Sequence, residues 1–137
     1  MGSSRGPNPT ARPVTTDADV ALCVVVAGRA AAAAGLSDGA AQSFTTAVSE
    51  LARNILKFAG QGEIQIRELT RGGRRGVEAT ATDEGPGISD VKQAMSDNYS
   101  SAGTLGIGLP GTKRMMDEFE IDTAVDQGTT VTIRKWA

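Results

Sequence analysis

Two glycine clusters within one stretch constrain this chain more than any other feature. They are DEGPG at residues 83–87 and GTLGIGLPG at residues 103–111, separated by a short polar segment. An acid, Asp83, opens the first cluster. The second runs directly into a segment with helical periodicity. This is the layout of a nucleotide pocket, with an acidic group for a base at one end and a glycine-rich cover for phosphates at the other.

The remaining composition narrows the field. The chain has 137 residues, enough for one domain around one core. Its 14 basic and 16 acidic side chains give a formal charge of -2, which argues against non-specific nucleic-acid binding. No apolar run is long enough for a bilayer, because the best candidate, residues 20–34, is interrupted by Gly28 and Arg29. Residues 1–13 lack the apolar centre of a signal peptide. Cys23 is the one cysteine and lies in an apolar run, so it reads as a buried thiol in a reducing, cytoplasmic compartment. Histidine is absent, which removes imidazole metal sites, Ser-His-Asp triads and a histidine phosphoacceptor from this chain.

Taken in order, residues 1–12 read as a disordered tail and 13–137 as one folded domain, opening on a short strand at Val14 and Thr15. Asp17 serves as N-cap of an Ala- and Val-rich helix over 18–34, with Gly35 as its stop. A second helix starts at Ser37 or Asp38. Phe44, Val48, Leu51, Ile55 and Phe58 then recur at steps of 4, 3, 4 and 3, on one face. Glu50 and Asn54 fall one turn apart beside that stripe, with Arg53 and Lys57 farther round. Residues 63–69 and 77–82 alternate and form a hairpin across Gly72 and Gly73 that delivers Asp83 at its end. A short helix over 88–94 and a loop over 98–104 follow. A helix over 109–118 opens with Pro110 in its first turn, and residues 120–125 and 129–135 make a last hairpin. The fold class is α/β, with three main helices covering one face of a mostly antiparallel sheet. Arg71 to Arg75 reads as a solvated turn, and Asp117 with Glu118 as an exposed helix end.

Each chemical signal has a plain alternative. A carboxylate at Asp83 accepts from the adenine amine and faces the guanine carbonyl as acceptor against acceptor, which excludes guanine. Gly85 and Gly87 let the backbone approach the ring. The alternative is a surface turn. The 103–111 loop can hold phosphate oxygens through backbone N–H groups and a helix N-terminus. It is neither a Walker A loop nor a dinucleotide fingerprint, since no Gly-Lys-Ser/Thr and no βαβ unit accompany it. Its alternative is a flexible loop. Asn54 can give one oxygen to Mg²⁺, which keeps several waters, and Glu50 can act as general base. The alternative there is a solvated pair.

Together the signals are specific. ELARN at 50–54, DEGPG at 83–87, LGIGLPG at 105–111 and GTT at 128–130 resemble the GHKL superfamily of ATPases. Within it the chain is similar to small bacterial serine/threonine protein kinases that regulate sigma factors, over about residues 14–137. The resemblance implies a Bergerat-type α/β sandwich that uses ATP and Mg²⁺. Asn54 would ligate Mg²⁺, Glu50 would be the catalytic base, and Asp83 would bind the adenine amine with Gly85 and Gly87 beside it. Gly103, Gly106 and Gly108 would belong to the ATP lid, and Thr129 would help bind adenine. GLPGTKRMMDEF at 108–119 and SELARNI at 49–55 look most like the RsbT-type switch kinases of the stressosome. Those phosphorylate STAS-domain scaffold or antagonist proteins and then activate a PP2C-type phosphatase. The other implied type is an anti-sigma factor kinase that binds a sigma factor and phosphorylates an anti-anti-sigma protein. A nucleotide-gated binding module without phosphoryl transfer is the non-enzymatic alternative. No nucleic-acid or membrane partner is expected, and the chain is expected to be a monomer or weak homodimer.

Overall fold

The computed structural model describes residues 4–5, 10–85 and 108–137. The expected helix over 88–94, the expected loop over 98–104, and Gly87, Gly103 and Gly106 lie outside the described residues. The elements run β1 (Ser4–Arg5), β2 (Thr10–Val14), α1 (Asp17–Ala33), α2 (Asp38–Phe58), β3 (Gly62–Arg71), β4 (Arg74–Asp83), α3 (Gly108–Met115), β5 (Glu118–Thr123) and β6 (Thr129–Trp136). β2 begins at Thr10 rather than Val14, because residues 10–14 pair with β3 from Ile66 back to Gly62. Ser4 and Arg5 also pair with β3, so these parts of the expected tail belong to the sheet.

α1 is the helix that its length and alanines predict, despite three consecutive valines. Its cap is Thr16 rather than Asp17. The Thr16 hydroxyl accepts from the Asp19 N–H at 3.3 Å, and the Asp19 carboxylate accepts from the backbone N–H of Thr16 and of Thr15. α2 starts on Ser37, whose hydroxyl accepts from the Ala40 N–H. Phe44, Val48, Leu51 and Ile55 are buried along one side of α2, as the spacing predicts. Phe58 is the exception and is exposed, because α2 ends there and Gly60 turns the chain away at φ +83°. Burying a side chain such as Phe44 contributes about 2–3 kcal/mol.

β3 and β4 form the expected hairpin, with Arg71 opposite Arg74. Gly72 and Gly73 both take positive φ, the conformation that matches a tight turn to strand twist. The sheet runs β1-β3-β4-β6-β5, with β2 sharing the β3 edge beside β1. Every described pairing is antiparallel. Ile64, Ile66, Val77, Ala79, Ala81, Val131 and Ile133 meet α1 and α2 in one core. The helices cover this single face, as expected.

The opposite face carries a charge ladder. Glu78 is only 4% exposed and lies between Arg67 at 2.7 Å and Arg134 at 2.8 Å. Arg134 also reaches Glu118 and Glu120, and Arg71 pairs with Glu118 while stacking over Trp136. Two expectations are corrected by this ladder. Glu118 lies in β5, not on an exposed helix end, because α3 stops at Met115. The arginines at 71 and 75 are not simply solvated. Arg75 donates to the Ala33 carbonyl at the end of α1 and pairs with Glu68.

Candidate active site

The site forms where α2, the end of β4, the start of β6 and the start of α3 converge. α2 and α3 pack directly against each other. Glu50 comes from the middle of α2 and is only 7% exposed. Its carboxylate Oε2 accepts from the Gly108 N–H at 3.4 Å, which joins α2 to the first residue of α3. Gly108 takes φ +65°, a backbone state that favours glycine. The fully buried Thr112 hydroxyl donates to the Gly108 carbonyl at 2.9 Å and pins that turn. Asn54 lies one turn along α2, half-buried. Among the described residues nothing hydrogen-bonds the Asn54 amide, so its carbonyl oxygen is free to serve as a ligand.

At the sheet end, Asp83 stands opposite both Gly62 on β3 and Thr129 on β6. The Asp83 carboxylate accepts from the Gly85 N–H at 2.9 Å, which closes the turn after β4. One carboxylate oxygen and its remaining lone pairs are left for another donor. Gly85 is required here by packing: a Cβ would stand 2.6 Å from the Ala59 Cβ. Gly128 is required more strongly, because at φ +82° a Cβ there would collide with the Asp83 carbonyl. The Thr129 hydroxyl shares a hydrogen bond with the Thr123 hydroxyl at 2.8 Å. Thr129 is thereby held next to Asp83 across the β4–β6 ladder.

The structure thus brings Glu50 to Gly108 and Asp83 to Thr129 and Gly85, with Asn54 on the helix between them. Three contributions escaped the sequence. Arg53 was expected farther round α2, yet it lies 4.0 Å from Glu50, the i,i+3 spacing that the helix wheel allows. Thr112 looks like any helical threonine until its burial is known. Gly128 was expected only as a turn residue of the last hairpin, and the β4 backbone beside it explains why glycine is needed. Among the described residues no group of three or more acidic or thiol side chains gathers as a metal cage. A cation here would depend on one or two protein oxygens, the regime that Mg²⁺ favours.

Known proteins are similar to this chain in sequence. The histidine kinase-like ATPase domain family matches residues 14–135. The chain is 48% identical to the serine/threonine-protein kinase RsbT of Bacillus subtilis over 92 residues, covering 67% of this chain and 69% of RsbT. It is 32% identical to the anti-sigma F factor of Caldanaerobacter subterraneus subsp. tengcongensis over 97 residues, 66% of each chain. It is also 32% identical to that of Heyndrickxia coagulans over 62 residues, 43% of this chain and 42% of that one. With the acid and glycines at the sheet end and the Glu-Asn pair on α2 in place, the chain belongs to the histidine kinase-like ATPase domain family, and within it to the RsbT-like serine/threonine-protein kinases.

Proposed function

We propose that this chain transfers the γ-phosphoryl group of Mg-ATP to a serine or threonine of a STAS-domain partner in a cytoplasmic sigma-factor pathway. Once released, it activates a PP2C-type phosphatase. The observation that carries this reading is the buried Glu50 carboxylate, one helical turn from Asn54 and in contact with Gly108.

In this reading adenine donates its amine to Asp83, with Thr129 and the backbone at Gly85 and Gly87 lining the ring. Gly103 and Gly106 present N–H groups to the phosphates, and Gly108, whose N–H donates to Glu50, ends the lid. Asn54 holds Mg²⁺, which neutralises phosphate charge when bound. Glu50 accepts the proton of the acceptor hydroxyl. The acceptor oxygen bonds to the γ-phosphorus as the bond to the β–γ bridging oxygen breaks, and ADP leaves. The residues here mainly position groups and balance charge, as phosphoryl transfer requires. The product phosphate adds nearly two negative charges to the acceptor. It meets a chain of net charge -2, which favours release.

The similarity to anti-sigma F factors supports a second reading, in which the partner held is a sigma factor and the acceptor an anti-anti-sigma protein. One experiment separates the two. The chain is used as bait in source-cell lysate with Mg-ADP and with Mg-ATP, and phosphosites are mapped on captured and released proteins. STAS-domain proteins held in ADP and phosphorylated in ATP, together with a captured phosphatase, are the expected result. A captured sigma factor selects the second reading. Partners held without any phosphate transfer leave a nucleotide-gated binding module.

A further inference from the structure

The helix-covered face of the sheet ends in a row of four residues at the site. Ile64, Ala81, Val131 and Ile121 stand opposite one another across β3, β4, β6 and β5, against the core. Two residues along each strand, on the same face, the next row is Gly62, Asp83, Thr129 and Thr123. Directly opposite side chains stand about 5 Å apart at Cβ, so Asp83 and Thr129 present their polar atoms side by side. Thr123 lies one strand farther out, half-buried at the end of β5.

The protons in this row have one consistent arrangement. The Thr123 hydroxyl donates to the Gly128 carbonyl at 3.1 Å, and its oxygen lies 2.8 Å from the Thr129 hydroxyl oxygen. A carbonyl has no proton to give, and a hydroxyl has one. With the Thr123 proton on Gly128, the bond between the two threonines needs the proton of Thr129. The opposite assignment leaves the Gly128 carbonyl and the Thr123 oxygen facing each other lone pair to lone pair, which is costly in a part-buried site. Thr129 therefore turns its proton toward β5 and keeps only lone pairs for the site. The Asp83 carboxylate beside it is also acceptor-only, and one of its oxygens already holds the Gly85 N–H.

We propose that Thr123 is a specificity-determining positioning residue: by holding the Thr129 proton it makes Thr129 an acceptor beside the Asp83 carboxylate, so that the pair selects a ring edge that donates. The assignment rests on the reading of Asp83 and Thr129 as the base end of a nucleotide site. An exocyclic amine carries two hydrogens, one for each acceptor. The carbonyl that replaces this amine in hypoxanthine carries none and meets lone pairs on both sides. Without the Thr123 hydroxyl, the Thr129 hydroxyl is free to rotate and to donate to such a carbonyl. The preference for the amine then shrinks, although no residue that faces the base has changed. Thr123 acts through Thr129 alone.

The test uses the full chain and titrates it with Mg-ATP and with Mg-ITP, which carries the carbonyl in place of the amine. Wild type is compared with Thr123→Val, which keeps the shape and removes the hydroxyl, and with Thr123→Ser, which keeps the hydroxyl. Thr123→Ala removes the same hydroxyl and stands in if the valine variant does not fold, as checked by thermal melting. Wild type should bind ATP more tightly than ITP. Thr123→Val should narrow that affinity ratio about tenfold, and Thr123→Ser should keep it. A residue that only closes the β5–β6 turn would weaken both nucleotides alike and leave the ratio unchanged. An unchanged ratio in the folded valine or alanine variant therefore overturns the role of Thr123. So does a ratio that narrows equally in Thr123→Ser, or unfolding of both variants that lack the hydroxyl. Wild type that binds ATP and ITP alike, or binds neither, overturns the reading of the base end and this inference with it.

Discussion

Asp83 and Gly128 show how much of the site depends on single atoms. Asp83 spends one oxygen on the Gly85 N–H, and in the proposed reading the rest of its carboxylate takes the adenine amine. Asp83→Asn puts an amide that both donates and accepts in place of an acceptor-only group. ATP affinity is expected to fall, and preference over GTP to shrink, by about tenfold or more in competitive nucleotide titrations. Gly128→Ala places a methyl group against the Asp83 carbonyl at positive φ. It should cost about 1–3 kcal/mol in urea denaturation and weaken nucleotide binding as Asp83 shifts. Asp83, Glu50 and Asn54 stand out in the sequence as candidates because their residue types and spacing suit the proposed chemistry. Glu78 does not. Alternation assigned it to the outer face, and only its register opposite both Arg67 and Arg134 shows that the face is closed over there.

The helices were legible as elements, and α2 at its cap on Ser37, but α1 was not at its start. α1 has two acids in its first turn, and the sequence offers Asp17, a favoured capping type just before the helical run, as cap. The geometry selects Thr16, because Asp19 three residues on can then bond back to it. Thr16→Ala is expected to lower stability by about 1 kcal/mol in thermal or urea unfolding. The partner acid gives a pH signature. Hydrogen bonds from the Thr15 N–H and hydroxyl, then from Thr16, hold the Asp19 carboxyl below its ordinary value of 3.8. A depressed acid stabilises the fold above its unfolded value, and that contribution disappears as pH falls through the lower folded value. The Tm difference between wild type and Asp19→Asn should therefore be constant at neutral pH and vanish in strong acid. A difference that grows on acidification would contradict the capping geometry. α3 begins at Gly108 rather than Leu109 and ends three residues earlier than expected, since Glu118 is already paired in β5.

For the whole molecule, the hairpins were readable from alternation and turn glycines, while the sheet order was not. No local signal tells that β6 inserts between β4 and β5, because that pairing joins residues far apart in the chain. The consequence is the charge ladder that closes the outer face. Burial pushes the Glu118 carboxyl up, but hydrogen bonds from Trp136, Arg71 and Arg134 outweigh it and hold it low. Burial likewise pulls the Arg134 guanidinium down, while Glu78, then Glu120 and Glu118, raise it above its ordinary value. Glu78→Ala leaves two guanidinium groups facing each other without their shared carboxylate. It should cost about 3 kcal/mol in chemical denaturation, well beyond a surface ion pair. A cost below about 1 kcal/mol would mean that the ladder is solvated.

The central claim is that the Glu50 carboxylate takes the proton of an acceptor hydroxyl. The most direct measurement is a single-turnover assay by intact mass, with Mg-ATP and the STAS-domain acceptor, comparing wild type with Glu50→Ala alongside nucleotide titration of each. Wild type should add one phosphoryl group to the acceptor. Glu50→Ala should bind nucleotide comparably and transfer about 10²–10⁴-fold more slowly. Transfer at the wild-type rate by Glu50→Ala, or none by wild type with nucleotide and acceptor both bound, would contradict the account.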